Sequence, residues 1–161
     1  MTSPPAALNR PATWLAAGLP TGLLMLGLVF GAAGCSSTTA EVSVADGPTA
    51  SAAPTSRDAL DAEEFAAALK REGTAILDVR TPAEFAEGHL PGAINLDVED
   101  PSFAQNAALL DPSDNYAVYC RSGNRSGVAL GILTDLGFSS VYHLEGGIQA
   151  WQDAGGDVVT E

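Results

Sequence analysis

The sequence predicts an α/β domain with a central parallel sheet covered by helices on both faces. Short β-type runs alternate with segments of helical period over the C-terminal two thirds of the chain, and that alternation is the mark of parallel strands joined by helical crossovers. The helical segments carry start and stop signals at their ends. A cysteine stands at the end of one strand run, immediately before a helix, which is where open α/β sheets hold their reactive groups.

The elements follow in order from Arg57. Asp61-Ala-Glu-Glu64 has the form of a capping box, and Phe65 and Leu69 supply the apolar stripe of a helix expected to end at Gly73. Thr74 to Val79 is the first strand. Thr81-Pro-Ala-Glu84 places a cap, a proline at the first helical position and a glutamate at the third, opening a short helix closed by Gly88. Leu90 to Leu96 reads as a turn into a second strand, and Pro101 to Leu110 as a helix. Tyr116 to Cys120 is a third strand, Arg125 to Leu136 a helix stopped by Gly137, Ser140 to Leu144 a fourth strand and Gly147 to Ala154 a last helix. Gly146-Gly147 form a tight lead-in to that helix, and Ile148 and Trp151 fall on its core side.

Ahead of this domain the chain changes character twice. Met1 to Arg10 carries one positive charge, and Pro11 to Gly34 has none, with an apolar centre at Leu23 to Phe30. This is the pattern of an export signal over residues 1–34. Its length also suits a retained membrane-spanning helix, but the small residues Ala32-Ala33-Gly34 before Cys35 favour cleavage and resemble the lipobox of bacterial lipoproteins, with Ala32 where leucine is more usual. That resemblance implies lipidation at Cys35 and a domain anchored on the outer side of the cell membrane. Residues 35–56 form a tether: from Ser36 to Ser56, sixteen of twenty-one residues are Ser, Thr, Ala or Pro, too little apolar surface to offset the entropy of ordering.

The net charge of −13 and the presence of only two cysteines exclude a disulfide scaffold and argue against a nucleic-acid partner. Arg121 and Arg125, two of only six Arg and Lys residues beyond Cys35, flank the loop after Cys120 and point to a small anionic substrate. The two histidines and the cysteines are too widely spaced for a metal site, and the sequence gives no sign of a cofactor.

Cys120 faces unpaired amides and the positive end of a helix dipole, which lower a thiol pKa and make the sulfur nucleophilic. A buried cysteine is more often an inert small hydrophobe, and the glycine-punctuated turn is what separates the two readings. The segment Cys120-Arg-Ser-Gly-Asn-Arg-Ser126 resembles the active-site loop of rhodanese-type sulfurtransferases. Asp78-Val-Arg80, Glu84 to Asn95, and Gly146 to Trp151 with Ala154-Gly155 resemble that family's other blocks, over roughly residues 58 to 160. The resemblance implies a three-layer rhodanese-like domain over residues 57–161. In it Cys120 carries a persulfide cradled by the amides of Arg121, Ser122, Gly123, Asn124, Arg125 and Ser126, with thiosulfate as donor and a thiol or cyanide as acceptor.

Other readings stay open at this point. Arg121 either binds the donor anion at the pocket mouth or is a solvated surface residue. Arg125 either faces the anion or pairs with a carboxylate and braces the loop. Asp78 and Arg80 support the active-site face, and an ion pair of Arg80 with Glu84 is expected. His89 is expected to pack and hydrogen-bond in a turn rather than act as a base, and His143 has no assigned role. Phosphatases and arsenate reductases also set a cysteine and an arginine around an anion loop, but with five residues between them where this chain has four. A sulfur-relay module without turnover of its own is the remaining alternative.

Overall fold

The computed structural model describes Val44 and residues 48–160. The expected signal at 1–34 and the expected lipidation at Cys35 lie outside the described residues.

Five strands form one fully parallel sheet: β1 (Ala59–Leu60), β2 (Thr74–Asp78), β3 (Ile94–Asn95), β4 (Asn115–Tyr119) and β5 (Ser140–Leu144). Their order is β1-β5-β4-β2-β3. From the centre the chain builds outward in both directions, β2 to β3 on one side and β4 to β5 on the other, so the gap between β2 and β4 is the topological switch point. Asp78 lies beside Tyr119 there, and the residues that follow each strand rise into the same crevice.

The five helices are α1 (Ala62–Leu69), α2 (Pro82–Glu87), α3 (Phe103–Ala107), α4 (Asn124–Asp135) and α5 (Gly147–Asp153). On one face of the sheet, Phe65 of α1 and Ile148 and Trp151 of α5 pack on Ala117, Tyr119, Tyr142 and Leu144. On the other, Phe103 of α3 and Ala129, Leu130 and Leu133 of α4 pack on Leu77, Tyr116, Val118 and Val141. The period of two along β4 sends Tyr116, Val118 and Cys120 to the α4 side. The cysteine is therefore a core residue by strand register as well as the first residue of the loop.

Both predicted capping boxes are present, Asp61 with Glu64 and Thr81 with Glu84, and Pro82 begins α2. Four elements differ from expectation. The structure adds β1, whose two residues pair with His143 and Leu144 of β5. Helix α1 stops at Leu69 rather than near Gly73, and α3 is confined to Phe103–Ala107 between turns. β3 keeps only Ile94 and Asn95. Within residues 48–56, the Ala50 amide donates to the Ala67 carbonyl at 2.9 Å, and Arg71 reaches Ala50 O at 3.4 Å.

Candidate active site

Cys120 leaves β4 and its loop curls back over the sulfur before α4 begins. Gly123, at φ +93°, makes the reversal in the left-handed region, and its amide donates to Cys120 Sγ at 3.2 Å. The sulfur is almost wholly buried, with Cys120 1 % exposed. Burial pushes the thiol pKa up. The Ser126 hydroxyl and the amides of Ser126, Ser122 and Gly123 outweigh it, so Cys120 lies below the ordinary cysteine value. These donors favour the thiolate because they are aimed at negative charge before it forms.

A concave set of amides turned inward requires carbonyls turned outward, and α5 receives them. The Ile148 amide donates to Cys120 O at 2.9 Å and the Gln149 amide to Arg121 O at 3.4 Å. Gly146 and Gly147, with φ of +73° and +63°, bring the α5 N-terminus against the loop, and a Cβ on Gly147 would collide with the Cys120 carbonyl oxygen. The sequence shows the two glycines as a lead-in to a helix. That this helix holds the cysteine loop is visible only once the sheet has put β4 beside β5.

The charged side chains around the cradle divide into braces and one exposed cation. Arg125 is the carboxylate-pairing arginine of its two expected roles: Nη1 and Nη2 each donate to Glu84 at 2.8 Å, and Nη1 also reaches Glu99 at 3.1 Å. These bonds pull the Glu84 carboxyl down to about 2. The expected pair of Arg80 with Glu84 is not formed. Arg80 instead chelates Asp78, with Nε 2.9 Å from both carboxylate oxygens, and donates through Nη2 to Gly88 O at 2.7 Å. Two residues apart on one strand end, Asp78 and Arg80 share a face, and a carboxylate 0 % exposed takes the nearest cation. Asn95 donates to the carbonyls of Asp78 and Arg80 and ties β3 into the same support.

Arg121 is exposed and makes no ion pair with any described residue. It borders a cavity of about 270 Å³ beside the loop, shared with Glu87, Gln149 and Gln152. His89 sits in its turn, with Nδ1 3.0 Å from Phe85 O and its ring stacked on Phe85 at 3.7 Å. Ser122 and Asn124 are exposed on the outer rim of the loop. His143, to which the sequence assigns nothing, lies with Nδ1 2.9 Å from Ser126 Oγ.

Comparison with known proteins gives this arrangement its family. The rhodanese-like domain family matches residues 61–154, more than half of the chain. The chain belongs to the rhodanese-like family. This rhodanese-like chain is 40 % identical over 90 residues to the thiosulfate sulfurtransferase GlpE of Pseudomonas entomophila, an alignment covering 55 % of the chain and 80 % of the relative. It is 40 % identical over 84 residues to GlpE of Pseudomonas putida, covering 52 % and 74 %. Among solved structures, a rhodanese-related protein from Thermoplasma volcanium superposes with a TM-score of 0.58 at 33 % identity, over 65 % of this chain and 99 % of that one. The rhodanese-like domain of an Anabaena protein does so with a TM-score of 0.59 at 29 % identity, over 65 % and 80 %. The rhodanese fold and the three-layer α/β architecture expected from the sequence are thus both found.

Proposed function

We propose that this rhodanese-like chain is a sulfurtransferase that moves sulfane sulfur from thiosulfate or a related donor to a thiophilic acceptor through a persulfide on Cys120. The observation that carries the reading is the loop: the Gly123 amide donates to a single buried sulfur whose pKa is lowered, while α5 takes the loop carbonyls. The names of the GlpE relatives point to the same donor.

In the first step the Cys120 thiolate attacks the outer sulfur of thiosulfate. A sulfur–sulfur bond forms at Cys120, the donor's own sulfur–sulfur bond breaks, and sulfite leaves with the electron pair. In the second, cyanide or a thiolate attacks the outer persulfide sulfur, giving thiocyanate or an acceptor persulfide and returning the Cys120 thiolate. The cradle serves both charged states, because donors turned into the loop face the thiolate and, after transfer, the negatively charged outer sulfur of the persulfide. Arg121 supplies the positive charge that draws a dianion to an acidic protein.

Residues 1–34 act in this reading as a lipoprotein signal, Cys35 as the lipidation point and 35–56 as the tether of a domain spanning 57–161, exported and anchored to the outer side of the membrane. The lipobox-like Ala32-Ala33-Gly34-Cys35 and the tether composition support it. The four-residue gap between Cys120 and Arg125 favours sulfur over phosphorus, since a phosphate with several oxygens needs a wider ring of amides.

Incubating the full chain with thiosulfate should add one sulfur atom to the Cys120 peptide, and cyanide should then release thiocyanate. Cys120→Ser should abolish both, because a hydroxyl cannot hold the transferred sulfur. Cysteine-dependent phosphate release from a chromogenic phosphomonoester without thiocyanate would overturn the reading in favour of a phosphatase. Persulfide formation without turnover by any small acceptor would move it to a sulfur-relay module.

A further inference from the structure

Ser126 stands between a backbone carbonyl and an imidazole nitrogen, and its one proton cannot serve both. Ser126 is 0 % exposed, and its hydroxyl has one proton. Two groups lie within hydrogen-bond distance of it, the Gly123 carbonyl oxygen at 3.0 Å and His143 Nδ1 at 2.9 Å, and the same hydroxyl is among the groups that lower the Cys120 pKa. A carbonyl oxygen can only accept, so the 3.0 Å contact directs the serine proton to Gly123 O. The short contact to His143 is then a bond only if the imidazole carries its proton on Nδ1 and gives it to Ser126 Oγ.

We propose that His143 is a positioning residue for sulfur transfer, donating from Nδ1 to Ser126 Oγ so that the single serine proton remains available to the Cys120 sulfur. With Cys120 as thiol, the proton rests on Gly123 O. When the thiolate forms, a charged acceptor outcompetes a neutral carbonyl and the hydroxyl rotates onto the sulfur. The bond received from His143 holds Oγ in place during that rotation and strengthens it as a donor. A bare Nδ1 would do the opposite and draw the serine proton away from the sulfur. His143 reaches the site because β5 lies beside β4, and burial, opposed only by Glu145, lowers its pKa and keeps the ring neutral at pH 7.

The consequence for catalysis rests on the sulfurtransferase reading, whereas the thiol titration below needs no sulfur transfer, so the two failures separate. In the full chain, alkylation of Cys120 by iodoacetamide is followed by mass spectrometry as a function of pH. His143→Leu is expected to raise the apparent thiol pKa by about half a unit to one unit, roughly three- to tenfold less thiolate below it. His143→Asn, whose amide can occupy the Nδ1 position as a donor, is expected to restore the thiolate fraction to within about twofold. The other charged groups on elements packed against these residues are left in place: Asp58, Asp78, Arg80, Glu84, Glu99, Arg121, Arg125 and Glu145. An unchanged or lowered pKa in His143→Leu, or no restoration by His143→Asn, overturns the proposal. Should the variants not fold, the nitrogen-15 spectrum of the wild-type imidazole decides: a protonated Nδ1 supports the proposal and a bare Nδ1 overturns it.

Discussion

Removing the pair between Glu84 and Arg125 should loosen the cysteine loop from the body of the domain. The pair is bidentate, with two bonds of 2.8 Å, and it joins the first turn of α4 to the first turn of α2 across 41 residues of sequence. Each side chain is roughly a quarter exposed, at 24 % and 22 %. The fall of the Glu84 carboxyl from 4.5 to about 2 sets a ceiling of about 3 kcal/mol, at ~1.4 kcal/mol per unit. Solvent access brings the expected coupling down to about 2 kcal/mol, above the ~0.2–1 kcal/mol of fully exposed pairs. The sign follows from the depressed folded value. The contribution is fully present above pH 4.5 and is lost as pH falls through about 2. The perturbation is a double-mutant cycle of Glu84→Gln and Arg125→Ala, read by urea unfolding at pH 7 and near pH 2. The expected coupling is about 2 kcal/mol at the higher pH and near zero at the lower, a midpoint change of about 1–2 M at an m-value of ~1–1.5 kcal/mol/M. Coupling below about 0.5 kcal/mol at pH 7 would refute the brace. So would a rise in thiosulfate KM in Arg125→Ala with no loss of stability, which would make Arg125 a ligand of the anion.

Three further outcomes are expected. Gly147→Ala should fold less stably and transfer sulfur at least ~10²-fold more slowly, because its Cβ would push the Cys120 carbonyl and displace the loop by about 1 Å; kinetics with thiosulfate and cyanide measure this. Arg121→Ala should raise the thiosulfate KM more than it lowers kcat, since the lost interaction is made equally by bound donor and transition state, and an unchanged KM returns Arg121 to the solvated surface. Cys35→Ala should leave an unprocessed precursor or a chain without acyl anchor, seen by mass spectrometry of the membrane fraction, whereas a wild-type chain without acyl groups would favour a retained helix.

What the sequence shows of this fold is what short-range physics determines. Both capping boxes span four residues, and Thr81, Pro82 and Glu84 carry their own signal without reference to anything distant. The cysteine loop was legible for the same reason, since strand, turn glycine and helix start are contiguous. β1 was not: Ala59 and Leu60 have no strand pattern of their own and are extended because β5 offers them an open edge. The braces were legible as residues but not as partners. Glu84 reads as a capping residue, and it is one, yet its carboxylate also takes Arg125 from α4, leaving Arg80 to Asp78. His143 alternates with the buried Tyr142 and Leu144 on β5, and nothing in that pattern says that it touches Ser126.

The distribution of charge around the loop explains how an acidic chain can present a cationic site. With a net charge of −13, the long-range field of this protein repels a dianion. Of the arginines near the site, Arg125 on the loop faces two carboxylates and Arg80 after β2 is closed on Asp78, so both serve the framework. Attraction is left to Arg121 at the cavity and to the amides around Cys120, which act at hydrogen-bond range and are little affected by salt. Added salt should therefore screen both the attraction of Arg121 and the repulsion of the acidic surface, while the reactivity of Cys120 toward a neutral alkylating agent should hardly change. The two groups do different work: Arg121 determines how often a donor arrives, and the backbone cradle determines what the sulfur does once it is there.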